Sequence, residues 1–341
     1  MNYRKIIVEA WEYTQANKRL VHWLGVVPAF FTTTFSIGYL MYQYFAFKKS
    51  YLFDNADESF LHTVVIAIFD FIKNHFSWTL PLVIIAIIFG IFYLLLPTLA
   101  EASAVQIIAR ERNGQRVSVS RGVRHGIMSF LPLFEYHLMV KTFTVFSILI
   151  EMAFVLRNLG VGIFEIMLPL FMVVLFVSFI LLLLFTYTDF YIIIDGNKII
   201  DSIKKSSRLV ITNWRDTFLI TFLMIIIGIR IIIQAIIVFM VPIFVVAVTS
   251  YLTTILMPST GIVLGGALGL IALLVASYLN GVVNIFTYSV WTYTYLDLTS
   301  EKELSARDKV NARDKVEVEE FASEEEEKLG FLRAPHKNIK D

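Results

Sequence analysis

There is no cysteine in this chain, which removes disulfides, thiolate metal sites and a cysteine nucleophile together. Charge is also scarce: 17% of residues are Asp, Glu, Lys or Arg, and few of them fall inside the long apolar runs. The phosphate-cradling GxxxxGK[ST], the zinc-binding HExxH and the nucleophile elbow GxSxG are all missing, so no recognisable catalytic set points to an enzyme. No cofactor is expected, and no metal. Glu135 and His137 stand two apart on an expected helix and diverge by about 160°. Residues 1–19 have no apolar stretch ahead of a small-residue cleavage site, so a cleaved leader is not expected and the first span would serve as an uncleaved signal.

What is present is apolar length. Hydrophobic residues make up 57% of the chain and mean hydropathy is +0.71, the signature of a polytopic membrane protein. A bilayer core of roughly 30 Å needs about 20 apolar residues per helix. Six stretches meet that length: 24–47, 78–99, 131–156, 165–194, 217–248 and 261–288. The expected fold is therefore an all-α, polytopic bundle of about six spans. It divides into an amphipathic helix over 1–22, a membrane domain over 23–298 and a charged tail over 299–341. Residues 60–76, with His62, Asp70, Lys73 and His75, read as a helix lying in the interface rather than a seventh span.

The basic residues set the orientation. Arg4, Lys5, Lys18, Arg19, Arg110, Arg112, Arg116, Arg121, Arg124, Lys198, Lys204, Lys205, Arg208 and Arg215 fall on one side; Lys48, Lys49, Lys73 and Arg157 fall on the other. The positive-inside rule makes the first side cytoplasmic, places both termini there and assigns the protein to the inner, cytoplasmic membrane. Trp23, Trp78, Trp214 and Trp291 lie near span ends, as an interfacial aromatic belt requires. The same placement explains the basic residues without nucleic acid.

Two cytoplasmic connections, 108–128 and 195–216, share a pattern. Each has paired isoleucines (Ile107–Ile108, Ile193–Ile194), then Asn and Gly (Asn113–Gly114, Gly196–Asn197), then a basic helical stretch leading into a span. This reads either as an internal repeat or as the turn, basic helix and span common to many membrane proteins. Val119, Val123 and Ile127 in one, and Ile200, Ile203 and Leu209 in the other, recur near helical spacing. Together with 1–19 they would form a basic collar at the headgroup level. Arg121, Arg124, Lys204, Lys205 and Arg208 are the candidates to meet anionic headgroups. In the tail, ARDKV occurs twice (306–310 and 312–316) before an EEEE run at 324–327. That composition describes a disordered, solvated segment, either purely solubilising or a docking site for a cytoplasmic protein.

Ionisable residues within spans are costly and become candidates for function. Glu135, His137, Lys141 and Glu151 fall in the third expected span, Asp189 in the fourth, and Arg230 with Gln234 in the fifth. Lys141 would lie about 15 Å in from Leu131 at helical rise, with Glu135 or Asp189 as its partner; Glu151 would answer Arg230. Charge neutralisation and a polar ion path both fit this cluster, and His137 fits either a proton relay or a plain interhelical hydrogen bond. Gly261, Gly265 and Gly269 repeat every four residues, a face that lets another helix approach closely. Pro242 is expected to kink the fifth span.

The stretches NGQRVSVSRGVRHGI (113–127) and DGNKIIDSIKKSSRLVITNW (195–214) resemble a broad, uncharacterised family of bacterial six-span membrane proteins. That family is similar to the membrane domain attached to some glycerophosphodiester phosphodiesterases. The resemblance would cover residues 3–295. It implies a fold and not a hydrolase activity, because the catalytic phosphodiesterase domain has no counterpart here. Two functions lead, a non-catalytic envelope scaffold or lipid-interacting bundle and a small transporter or permease subunit; a membrane enzyme acting on lipid ranks a distant third.

Overall fold

The computed structural model describes residues 3–48, 60–141, 145–229, 267 and 269–300, and these contain helices and turns with no strand. In chain order the helices are α1 (Tyr3–Ala16), α2 (Lys18–Leu20), α3 (Val27–Lys48), α4 (Phe60–Asn74), α5 (Phe76–Arg112) and α6 (Val119–Lys141). There follow α7 (Val145–Asn158), α8 (Val161–Leu184), α9 (Thr188–Ile193), α10 (Ile199–Thr212), α11 (Trp214–Ile229) and α12 (Gly269–Ser300). A π-helical segment, Val21–Val26, joins α2 to α3. The chain parts into two units, Met1–Thr294 and Tyr295–Asp341; of the second, the described residues are the last helical turns of α12.

Among the described residues, four helical segments are long and apolar enough to cross a membrane: Lys18–Lys48, Phe76–Arg112, Val161–Leu184 and Gly269–Ser300. The pair α10 and α11, bent by 95° at Asn213, makes up to five if counted as one span. The expected stretch 131–156 is not one helix: α6 ends at Lys141 and α7 starts at Val145. Nor does the stretch 165–194 run through, because α8 stops at Leu184 and α9 is separate. The 15 residues of α4 fall short of the about 20 needed to cross. Pro242, Gly261, Gly265, Arg230, Gln234 and the tail from residue 301 lie outside the described residues.

Helix α5 shows how the molecule is organised. Over residues 76–94 nearly every side chain is exposed and apolar, whereas from Thr98 to Ala109 most are buried. At 1.5 Å per residue the exposed part is about 28 Å long, the thickness of a bilayer core. In water such a surface would aggregate; against lipid tails it is the surface the solvent demands. The buried part enters a core where helix ends converge. Ile6 and Ala10 of α1, Leu20, Val21 and Leu24, Ala100, Ala104, Ile107 and Ile108 of α5, Ile220 of α11, and Ile285, Phe286 and Val290 of α12 pack together there. A second, smaller cluster joins Ile148 and Val155 of α7 to Phe171 of α8.

Small residues set the closest crossings. A Cβ on Gly126 of α6 would fall 2.7 Å from the Ser103 backbone nitrogen, and one on Gly122 would strike the Ile107 side chain. Thus α5 and α6 touch almost backbone to backbone. A Cβ on Gly25 would lie 2.5 Å from the Gly281 carbonyl oxygen, and one on Gly281 2.5 Å from the Val26 nitrogen. Nearby, the Asn280 amide donates to Thr33 Oγ1 at 2.8 Å, so the helical segments Lys18–Lys48 and Gly269–Ser300 are locked by contact and by hydrogen bond. Gly269, by contrast, would carry a Cβ with no described atom within 4 Å.

Arg157, one of the four basic residues expected on the side opposite the cytoplasm, is buried at 7% exposure. Its guanidinium faces the rings of Tyr42, Phe47 and Phe154 at 5.5, 5.8 and 6.0 Å and donates to Gln43 Oε1. Helix α1 is held by edge-to-face pairs, Trp11 on Phe286 and Tyr13 on Tyr293, and by the Tyr3 hydroxyl donating to Asp216.

Gly25→Ala is expected to lower thermal stability in detergent by at least ~1–3 kcal/mol, the usual cost of forcing atoms into a filled contact. Gly38→Ala, where nothing lies within 4 Å, is expected to be neutral or slightly stabilising. Differential scanning fluorimetry on the pair checks both.

Candidate functional site

The six-residue helix α9 builds a polar interior site. Helix α8 ends at Leu184, and its free carbonyls need donors in a region without bulk water. Ser206 of α10 meets that need: its Oγ donates to the Leu184 carbonyl at 2.8 Å and accepts the Tyr187 N–H at 3.1 Å. Thr186 Oγ1 adds a bond to the Leu183 carbonyl at 2.8 Å. The chain can therefore break at 185–187 and restart as α9, whose residues are almost all buried. At the far end of α9, the Ile193 carbonyl accepts from Gln106 Nε2 of α5 and from Ser129 Oγ of α6, the latter at 3.4 Å. Helix α9 is thereby wedged beside α5 and α6.

That wedge delivers Asp189 to the α5–α6 crossing. His137 Nε2 of α6 lies 3.5 Å from Asp189 Oδ1 and 3.9 Å from Glu101 Oε2 of α5. The three side chains are largely enclosed, with 12% exposure for His137, 17% for Glu101 and 24% for Asp189. Thr98 Oγ1 stands 3.4 Å from His137 Nδ1, which leaves Nε2 to face the two carboxylates. The phenols of Tyr136 and Tyr288 lie within electrostatic reach of both acids. One imidazole and two carboxylates, from three separate helices, can share a cation or pass a proton.

The expected intramembrane cluster is redistributed. His137 and Asp189 are together, while Glu135 and Glu151 are exposed on α6 and α7. Lys141 is the last residue of α6, and its side chain lies outside what the structure describes. Glu101 went unremarked in the sequence because it falls just past an apolar run, where a charge is ordinary. Its signal was local: it sits in LAEASAV, residues 99–105, whose small side chains mark close helix packing.

The second site is a groove at the end of the bundle. Two adjoining cavities of about 670 and 480 Å³ share Asn17, Glu111, Val117 and Ser118. Arg116 and Arg121 line the first; Arg19, Leu20, Trp23 and Ile107 line the second. Gly114, at φ +80°, turns the chain between α5 and α6, and Gly196, at φ +66°, does the same before α10. Both conformations favour glycine. Tyr13 donates to Glu111 Oε2 at 2.6 Å beside the groove, and burial together with that carboxylate pushes the phenol far above its usual value near 10.

Of the expected headgroup residues, Arg121 lines the groove, and Arg124, Lys204, Lys205 and Arg208 are exposed. Lys205 is tied to Asn197 Oδ1 at 2.8 Å. On α10, Ser202, Ser206, Leu209 and Val210 are buried. Ile200 and Ile211, with exposures of 66% and 67%, project within about 20° of one another at 100° per residue, with Lys204 and Arg208 beside them. That combination of outward isoleucine and lysine suits a helix at a lipid interface.

Ser206→Ala is expected to cost about 1–3 kcal/mol, since it strands a buried N–H and carbonyl. Ser202→Ala removes a buried hydroxyl that makes no hydrogen bond among the described residues, and should be neutral or stabilising; thermal unfolding in detergent compares them. Because the fold favours neutral Tyr13, its contribution is complete below pH about 10 and lost as pH rises beyond it. Tyr13→Phe should remove part of the alkaline loss of stability, as read from melting temperature against pH.

No protein-family model, no curated protein and no solved structure matches this chain.

Proposed function

We propose that the chain is a multi-pass protein of the cytoplasmic membrane, a non-catalytic lipid-interacting helix bundle that holds anionic headgroups on its basic face. The observation that carries this reading is the groove between the start of α2 and the 113–118 turn. Arg116 and Arg121 line one of its two adjoining cavities, and Arg19 lines the other together with Leu20, Trp23 and Ile107. Guanidinium groups over an apolar floor suit a phosphate headgroup with its acyl chains. The groove lies beyond the lipid-length part of α5, at the end where the basic residues gather, as the positive-inside rule requires of a cytoplasmic face. Six spans, both termini in the cytoplasm and kinship with the bacterial six-span family belong to the same proposal, as does a tail free to engage a protein partner. Glu135 and Glu151 are exposed, which favours this reading over a polar transport route through them.

The test is lipid retention. The full chain in nanodiscs mixing phosphatidylglycerol and phosphatidylcholine is expected to keep phosphatidylglycerol on extraction for native mass spectrometry. Each surface cation contributes about 1 kcal/mol toward anionic lipid. Arg116→Gln with Arg121→Gln should therefore weaken retention by about 30-fold. Equal retention of both lipids, or no change in the double variant, would refute the proposal.

A further inference from the structure

We propose that Glu101, His137 and Asp189 form a binding site for a divalent transition metal, one ion joining α5, α6 and α9. The inference rests on the geometry of this cluster and is independent of the lipid reading. One ligand atom from each residue can be chosen so that all three lie within 4.8 Å of one another. Ligand atoms about 2.1 Å from a zinc-class ion in tetrahedral array sit ~3.4 Å apart. The observed 3.5 and 3.9 Å from His137 Nε2 to the two acids therefore need only small side-chain adjustments.

Two further observations point into the same gap. Asp189 Oδ1 is enclosed and accepts no hydrogen bond among the described residues, although the imidazole is within ion-pair range of it. A buried carboxylate oxygen without a donor is costly, and a metal would supply its missing partner. At the opposite ring edge, Thr98 Oγ1 faces His137 Nδ1 at 3.4 Å. With the proton on Nδ1 donated to the threonine, the Nε2 lone pair points to the carboxylates; a metal-ligating histidine is commonly oriented by such an outer contact.

The donor set, one imidazole nitrogen and two carboxylate oxygens, suits zinc, manganese or iron(II) better than magnesium or calcium, which take oxygen alone. Binding would displace protons and leave bonds among three helices distant in sequence. Water would complete the coordination, since three protein ligands leave a position open. The sequence expectation that Lys141 pairs with Glu135 or Asp189 is the competing account of the acid on α9, and the test separates the two.

Full-length protein purified without a histidine tag would be stripped with chelator, then titrated with Zn²⁺ alone and, separately, with Co²⁺. A single Zn²⁺ per chain is expected, with a rise in melting temperature, and Co²⁺ should show visible d–d bands of low coordination number. Glu101→Gln, His137→Gln and Asp189→Asn should each weaken zinc binding by more than the ~10–100-fold typical of losing an outer-sphere partner. His125→Gln and Lys141→Met should retain zinc. Substoichiometric zinc in folded wild type would overturn the proposal, as would unchanged zinc in all three ligand variants. Helical circular dichroism of each variant distinguishes lost ligands from lost fold. If zinc fails while the lipid groove still selects phosphatidylglycerol, only the metal site falls.

Discussion

The close crossing of α5 and α6 at Gly126 and Ser103 is the contact on which the polar end of this protein depends. Both backbones must come together there for His137 to reach Glu101 and for the 113–118 turn to fold over Asn17 and Arg19. A side chain at Gly126 would force the two backbones apart, and one at Gly122 would have to displace the Ile107 side chain. In lipid no hydrophobic force pulls two apolar helices together, so close dispersion contact and hydrogen bonds must do so. The glycines make that contact possible, and Gln106, Ser129 and Ser206 supply bonds that hold α9 beside it.

The solvent changes along the molecule, and the side chains change with it. Residues 76–94 of α5 present isoleucine, leucine and phenylalanine outward over a bilayer's thickness; a few turns later the same helix carries Ala100, Ala104, Ile107 and Ile108 into a core. That second region holds the aromatic pairs of α1, the Tyr13–Glu111 bond and the three-helix polar cluster, whereas in the first the contacts are between rings, Phe31 and Phe35 of α3 on Phe89, Phe92 and Tyr93. The lipid-facing part needs only to be apolar and helical. The packed end must be complementary in detail, and it has the buried polar groups whose arrangement could be chemically useful.

Arg157 shows the same logic on a smaller scale. A charge in a loop between apolar runs is normally solvated, yet here three aromatic rings and Gln43 enclose it. A delocalised guanidinium tolerates that environment better than an ammonium would, because its planar face can stack while its edge donates. Ser202 and Ser206, one turn apart on α10, diverge in the opposite way: Ser206 caps the end of α8, and Ser202 is buried with no hydrogen bond among the described residues.

The sequence by itself determined what depends on composition along the chain: helices throughout the described residues, several long enough to cross a membrane, and basic amphipathic connections between them. Those follow from period and apolar length, which are local. The turns at Asn113–Gly114 and Gly196–Asn197 were legible too, although the left-handed backbone of both glycines came from the structure. Tertiary structure decided where helices break and which residues meet. Nothing in the run 165–194 announces a stop at Leu184, because the group that satisfies its carbonyl is Ser206, 22 residues away. Nor does the spacing of 101, 137 and 189 show a cluster, because three helices must be positioned before one imidazole can face two carboxylates. Such a meeting depends on the close approach of backbones, and that is a property of the packed bundle rather than of any segment within it.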